Sequence, residues 1–352
     1  LLSSAAFQRW ASAFPFTRPI ARRRTRELFD LCAGFVYSQV LLACVRLRLC
    51  EMLLDAPQTL DQLAPRLALS REAAARLIEA AIALRLVERR GVDRHGAERF
   101  GAGPLGAALA GNPAVGAMVE HHGLLYADLR DPVGLLRGES SAQTLSTYWP
   151  YAKAPDAASL SAAAVAPYSI LMAASQPLVA ADVLAAYKLS RHRCLLDVGG
   201  GDGTFLSAVA TAAPRLSLML FDLPAVVARA REKLAAEGRS VQVFGGDFYH
   251  DRLPTGADII TLIRVIHDHD DDAARAILQA VRRALPPGGT LLLAEPMAGT
   301  AGAESVGAYF GFYLLAMGSG RPRHAAELTA MLHESGFSHV RLLPTRQKLL
   351  VR

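Results

Sequence analysis

The C-terminal half of the chain alternates short apolar runs with helical repeats. Strand-like runs lie near Leu195, near Leu218, at Val241-Gln242-Val243, from Ile259 to Ile263, at Leu291-Leu292-Leu293, from Val340 to Leu343 and from Leu349 to Val351. The run Ile259-Ile260-Thr261-Leu262-Ile263 is almost wholly apolar, as a strand buried on both faces must be. Strands alternating with helices predict a doubly wound parallel sheet, a Rossmann-like α/β domain over residues 166–352. Ligands of such sheets bind beyond the carboxyl ends of the strands.

The N-terminal half reads differently. Over residues 27–54 apolar side chains recur at helical spacing through Leu28, Leu31, Phe35, Val36, Val40, Leu41 and Leu47. That stretch is too apolar for a lone surface helix and predicts a packing partner. Residues 59–110 have the pattern of a winged helix. Thr59 caps one short helix and Ser70 caps a second, which turns Leu77, Ile78, Ala81 and Ile82 inward. Two short strands follow, Leu86 to Arg90 and Glu98 to Phe100, around a Gly-containing wing. The second helix offers only Arg71 and Arg76 as cations, too few for phosphate contacts and base readout, so nucleic acid is not an expected partner. Residues 111–165 are polar and carry Pro and Ser; they predict irregular helices leading to the second domain. The expected division is therefore 1–165 and 166–352.

Composition narrows the class. Of the 352 residues, 52% are hydrophobic and 20% charged, enough apolar material for a large core and little reason for disorder. No apolar run reaches about 18 uncharged residues, which predicts no membrane span, and no secretory signal is apparent. Cys32, Cys44, Cys50 and Cys194 form no CxxC pair and fit a reducing, cytoplasmic setting. The net charge is +6, much of it in Arg22-Arg23-Arg24-Thr25-Arg26. This cluster is either a solvated helix start or, with Trp10, Phe14 and Phe16 nearby, a peripheral contact with anionic lipid.

The chemistry gathers at the predicted strand ends. After the first strand comes Asp197-Val198-Gly199-Gly200-Gly201-Asp202-Gly203. Glycine lets a ligand approach the backbone, and a helix start presents free N–H groups. The G-x-G-x-x-G spacing of dinucleotide enzymes is broken here, since Thr204 and Phe205 follow, so a nicotinamide dehydrogenase is disfavoured. The acid before the glycines suits S-adenosylmethionine (SAM), whose ammonium and sulfonium are cationic. Asp222 ends the second strand, ~20 residues past the glycines, where an acid can receive both ribose hydroxyls. Asp247 and Phe248, after the third strand, can bind an adenine amino group and stack on its ring.

After the fourth strand comes Arg264-Val265-Ile266-His267-Asp268-His269-Asp270, and after the fifth Ala294-Glu295-Pro296. His267 is the candidate general base, with Asp268 or Glu295 to orient it. Asp270 to Asp272 read as caps of the next helix. A divalent metal on His267 and His269 is the weaker alternative, because their spacing lacks a fixed metal motif; no metal is assigned.

With these residues in view, the chain resembles the SAM-dependent O-methyltransferases of the plant caffeate and bacterial small-molecule type over nearly its whole length. The resemblance implies a dimerising winged-helix domain and hence a homodimer. It implies SAM at Gly199, Gly201, Asp222, Asp247 and Phe248, with Arg264 near the cofactor. It also implies His267 as base with Glu295 behind it; a second supporting glutamate of that family is replaced here by Pro322. A narrower resemblance, through Phe29 to Val40 and Tyr309 to Gly318, is to carotenoid O-methyltransferases of phototrophic bacteria. It implies a hydrophobic acceptor with a tertiary hydroxyl, of the hydroxyneurosporene or demethylspheroidene type. A bacteriochlorophyll precursor, a phenolic polyketide and a non-catalytic regulator are the alternatives.

Overall fold

The computed structural model describes residues 3–139, 144–152 and 157–345. The chain divides into two compact units, 1–120 and 121–352.

The first unit opens with α1 (Ala5–Ala13), α2 (Arg18–Arg46) and α3 (Leu49–Asp55). The helix expected over 27–54 is broken at Arg48, whose φ of +53° is left-handed and cannot continue an α-helix. The winged helix follows. It comprises β1 (Gln58–Thr59), α4 (Leu60–Arg66), α5 (Arg71–Ala83), β2 (Val87–Val92), β3 (Glu98–Ala102) and α6 (Pro104–Ala110), with strand order β1-β3-β2. Thr59 and Ser70 cap α4 and α5 as their sequence predicts, Thr59 in a reciprocal capping box with Gln62. Arg71 and Arg76, the two cations of α5, are ion-paired to Asp61 and Glu72. The core of this unit gathers Leu49, Leu53, Leu63, Ile78, Val87 and Phe100.

The chain passes between the units along α7 (Pro113–Asp128). The second unit begins with α8 (Pro132–Leu136), α9 (Thr144–Tyr148) and α10 (Ala162–Ala186). The described residues between 121 and 165 thus belong with the second unit, not with the winged helix as their composition suggested. Their aromatic side chains explain it: Trp149 donates its indole N–H to the Tyr313 hydroxyl (2.8 Å), and Tyr151 donates to Asp268 (2.8 Å).

The sheet comprises β4 (Cys194–Val198), β5 (Ser217–Asp222), β6 (Gln242–Gly245), β7 (Ile259–Ile263) and β8 (Thr290–Ala294), in the order β6-β5-β4-β7-β8, all parallel. Successive strand residues point to opposite faces. Leu195, Leu218 and Leu220 pack with α10, with α11 (Thr204–Ala212) and with α12 (Pro224–Ala236). Leu196, Met219 and Phe221 pack with α13 (Asp271–Ala284) and α15 (Ala325–Glu334), beyond α14 (Glu304–Met317). Every residue of β7 is buried, as its unbroken apolar run requires. The strand order reverses direction at β4/β7, which opens a crevice at their carboxyl ends.

Two expectations need correction. Residues 340–343 form no strand: Val340 and Leu343 are packed against the two cores, but the chain from 338 to 345 is irregular. The neighbouring run 349–351 lies outside the described residues. The premise that no stretch is long and apolar enough to cross a membrane is the second: by length and composition alone, α2 and α10 both are. Intervening Ser, Gln and Pro residues hid the run in α10. This helix buries Val165, Leu171, Val179 and Val183 within its unit, as the core helix of a globular domain does.

Candidate active site

β4 ends at Val198, and the chain turns through Gly199 to Gly203 into α11. Gly199 and Gly201 have φ of +69° and +59°, a region side chains avoid. A Cβ at 199 would lie 2.8 Å from Val265 Cγ2, whereas at 201 nothing lies within 4 Å. The backbone at 201 is therefore open to a ligand.

Asp197 does not line this opening. Its buried carboxylate accepts from Thr261 Oγ1 at 2.6 Å, between β4 and β7, and burial pushes it up to about 7. The carboxylate expected to face a cationic ligand is instead engaged by Thr261 and does not line the cavity.

Asp222, the last residue of β5, accepts from the Gly201 amide and the Leu223 amide, both at 2.7 Å. Burial pushes its carboxyl up to about 6, against the pull of those two amides. Asp247 accepts from the Tyr249 amide (2.9 Å) and lies 3.1 Å from His250 Nδ1. Phe248 stands edge-to-face with Tyr249 and His269. Asp222, Asp247, Phe248, Tyr249 and His269 line one cavity. Gly199, Gly201, Asp222, Asp247, Phe248 and Arg264 all face it, as does Asp268.

Arg264 has a left-handed φ of +59°, unusual for a residue with a Cβ. Its amide donates to Ala294 O (2.7 Å). Its guanidinium donates to Ser175 Oγ (2.7 Å), Met172 O (3.0 Å) and Gln176 Oε1. Burial lowers it to about 10, partly offset by Asp268 and Glu295. Its grip is thus on α10, at the cavity wall.

Past Arg264 the chain makes a tight 3₁₀ turn over Ile266–Asp268. Glu295 accepts the amides of Val265 (2.9 Å) and Ile266 (2.7 Å), and its Oε2 lies 2.6 Å from His267 Nδ1. Asp268 Oδ1 is 3.1 Å from His267 Nε2. Burial acts to lower His267, but Asp268 and then Glu295 outweigh it and hold the imidazole above its ordinary value. Pro322 brings no carboxylate here; Asp268 stands on the second ring nitrogen instead. His267 and Glu295 are buried, and the adjacent Asp268 lines the cavity.

The neighbouring acids differ in role. Asp270 is the N-cap of α13, yet its side chain makes no capping bond; it accepts from the Gly320 amide at 2.9 Å. Asp271 pairs with Arg321 and Arg323. Arg323, fully buried, donates to Ile266 O (2.8 Å) and His269 O (2.6 Å), so it pins both ends of the histidine turn.

Sequence reasoning missed Arg323, Trp149, Tyr151 and Tyr168. The signal for the aromatics was present: Tyr148-Trp149-Pro150-Tyr151 interrupts an Ala- and Ser-rich stretch. Arg323 carried none, because its partners lie far from it along the chain.

A family profile described as an O-methyltransferase domain matches residues 126–338, and one described as an O-methyltransferase dimerisation domain matches residues 29–112. The chain belongs to the SAM-dependent O-methyltransferase family. It is 44% identical over 347 residues to demethylspheroidene O-methyltransferase of Cereibacter sphaeroides, covering 98% of this chain and 90% of that protein. Identity to the Rhodobacter capsulatus enzyme of the same name is 42%, over 93% of this chain and 80% of that one. The fold is also that of human N-acetylserotonin methyltransferase solved with SAM, at a TM-score of 0.77 and 22% identity over 93% of this chain and 96% of that one. The protein is thus an enzyme that takes a methyl group from SAM to a small-molecule acceptor.

Proposed function

We propose that the acceptor is a hydroxylated carotenoid of the demethylspheroidene type, methylated on its tertiary hydroxyl. The 44% identity over nearly the full length carries this reading, and the aromatic face of α14, with Tyr309, Phe310 and Tyr313, suits a long apolar acceptor.

The cavity residues fit SAM by their chemistry. Each Asp222 oxygen receives one amide and has capacity for another donor. Burial has raised this carboxyl, so two ribose hydroxyls would restore the solvation it has lost. Asp247 and Phe248 offer a carboxylate and a ring face to an adenine, and the open backbone at Gly201 admits close approach. When bound, SAM supplies an electrophilic methyl group on a sulfonium centre.

The chain's own residues then position and deprotonate. Glu295 holds Nδ1 of His267 and fixes the ring; Nε2 is the atom that takes the acceptor's proton. A tertiary alcohol is a weak acid, so proton loss accompanies oxygen attack rather than preceding it. Asp268 stabilises the imidazolium that forms. Holding the hydroxyl near the methyl group supplies much of the acceleration. Within this reading, the exposed apolar side chains of α2, Leu28, Leu31 and Phe35, are covered by a second copy in a homodimer.

Incubation with isotopically labelled SAM and a hydroxylated carotenoid, followed by mass spectrometry, tests the acceptor. A methyl ether at the tertiary position is expected. Label reaching a phenol or a tetrapyrrole acid but never the carotenoid would refute it.

A further inference from the structure

The first 26 residues contain six arginines (Arg9, Arg18, Arg22, Arg23, Arg24 and Arg26) and no acidic residue. Those six equal the chain's entire net charge of +6; the remainder, from Glu27 onward, is formally neutral. All six are exposed. Among the described residues Arg23 alone of the six forms an ion pair, a solvent-exposed one with Glu27 at 2.7 Å.

The same segment exposes an aromatic ladder. Phe7, Trp10 and Phe14 recur at helical spacing along α1 and its C-cap. Trp10 and Phe14 stack at 5.1 Å, Phe7 lies 5.8 Å from Trp10, and Phe16 lies 5.7 Å from Phe14. Trp10 is 52% exposed and Phe16 83%, with Ile20 at 56% just beyond. Large apolar side chains left together in water mark a surface that meets something. The dimerisation profile begins at residue 29, so this patch precedes the part of α2 that it covers.

We propose that residues 5–26 form a docking surface for an anionic lipid bilayer. Charge complementarity selects the occupant: a cationic patch holding the whole net charge requires an anionic partner. The aromatic residues select the kind. Trp and Phe beside arginines settle at the boundary of head groups and acyl chains, where the rings are buried and the guanidiniums meet phosphates. A duplex nucleic acid would use the arginines and leave the rings in water. The inference goes beyond the acceptor reading and survives its failure, because the surface is tested without any acceptor.

The test uses the full chain and its two tryptophans. Trp149 is buried in the second unit, whereas Trp10 is exposed, so a change in emission on docking reports Trp10. Protein is titrated with vesicles of phosphatidylcholine, alone or with about one-third phosphatidylglycerol, at low salt and at about 0.5 M salt. The expected result is a blue shift and co-sedimentation with the anionic vesicles only, reversed by salt and with the shift absent in Trp10→Phe. Replacing Arg22, Arg24 and Arg26 by Gln should weaken partitioning by about fivefold per arginine, roughly a hundredfold in all. The melting temperature of that variant should stay unchanged. Equal binding to neutral vesicles, no binding at all, a shift that persists in Trp10→Phe, or tighter binding to a DNA duplex than to anionic vesicles would overturn the proposal.

Discussion

Glu295 holds His267 by two routes at once. One oxygen receives the Val265 and Ile266 amides that shape the turn, and the other lies 2.6 Å from the imidazole Nδ1. One carboxylate therefore sets both the ring's tautomer and the path of the backbone that presents it. Tyr151 and Ser319 complete the frame, donating to the side-chain and main-chain oxygens of Asp268 at 2.8 Å and 2.6 Å.

Replacing His267 by Ala removes the proposed proton acceptor and little else near the cofactor residues. Turnover is expected to fall by about 10²–10⁴, with SAM affinity by calorimetry close to wild type. Wild-type turnover would remove the assignment.

The pH profile reports the two carboxylates. His267 is held above the ordinary imidazole value by Asp268 and Glu295, and the base must be neutral to work. Turnover should rise with pH, with a midpoint above about 6.5. Asp268→Asn removes a charge that favours the imidazolium, so the acidic limb should move to lower pH. An unmoved or upward-shifted limb would contradict the arrangement.

Asp222→Asn keeps the side chain's shape and loses its charge. Charge-assisted hydrogen bonds contribute about 1.5–3 kcal/mol, so SAM should bind roughly 10–100-fold more weakly in a calorimetric titration. Unchanged affinity would exclude the ribose role.

Asp197→Asn addresses stability. A carboxyl that folding raises to about 7 binds its proton more tightly in the native state. Its stabilising contribution is present at low pH and is lost as pH rises from about 4, the unfolded value, through the folded value. Asn has no such dependence and keeps an acceptor for Thr261. The variant's unfolding free energy, measured by denaturant titration, should therefore gain on wild type between about pH 5 and 8, by an amount on the order of a few kcal/mol. A gap that narrows over that range would reverse the sign.

Arg323→Met strips the fastening from the histidine turn. It leaves the carbonyls of Ile266 and His269 without their buried donor. A loss of about 3 kcal/mol in stability is expected, together with lower turnover at an unchanged midpoint of the pH profile, because Arg323 touches the turn's backbone and not the imidazole.

Local chemistry was readable from residue order alone. Apolar runs located all five strands of the sheet, and Thr59 and Ser70 announced their helices, because strand burial and helix capping are settled by neighbours within a few positions. The strand-end residues Asp222, Asp247 and His267 were legible for a related reason: a parallel sheet delivers every strand's carboxyl end to one edge, whatever the details. The folded chain alone decided what depends on distant partners. It bonded Asp197 to Thr261, tied Trp149 and Tyr151 to Tyr313 and Asp268 of the second unit, placed Asp268 on the nitrogen that Pro322 cannot serve, and set Arg323 against the histidine turn. Side-chain direction and long-range hydrogen bonds depend on which elements meet in space, and the order of residues along a single chain does not record that.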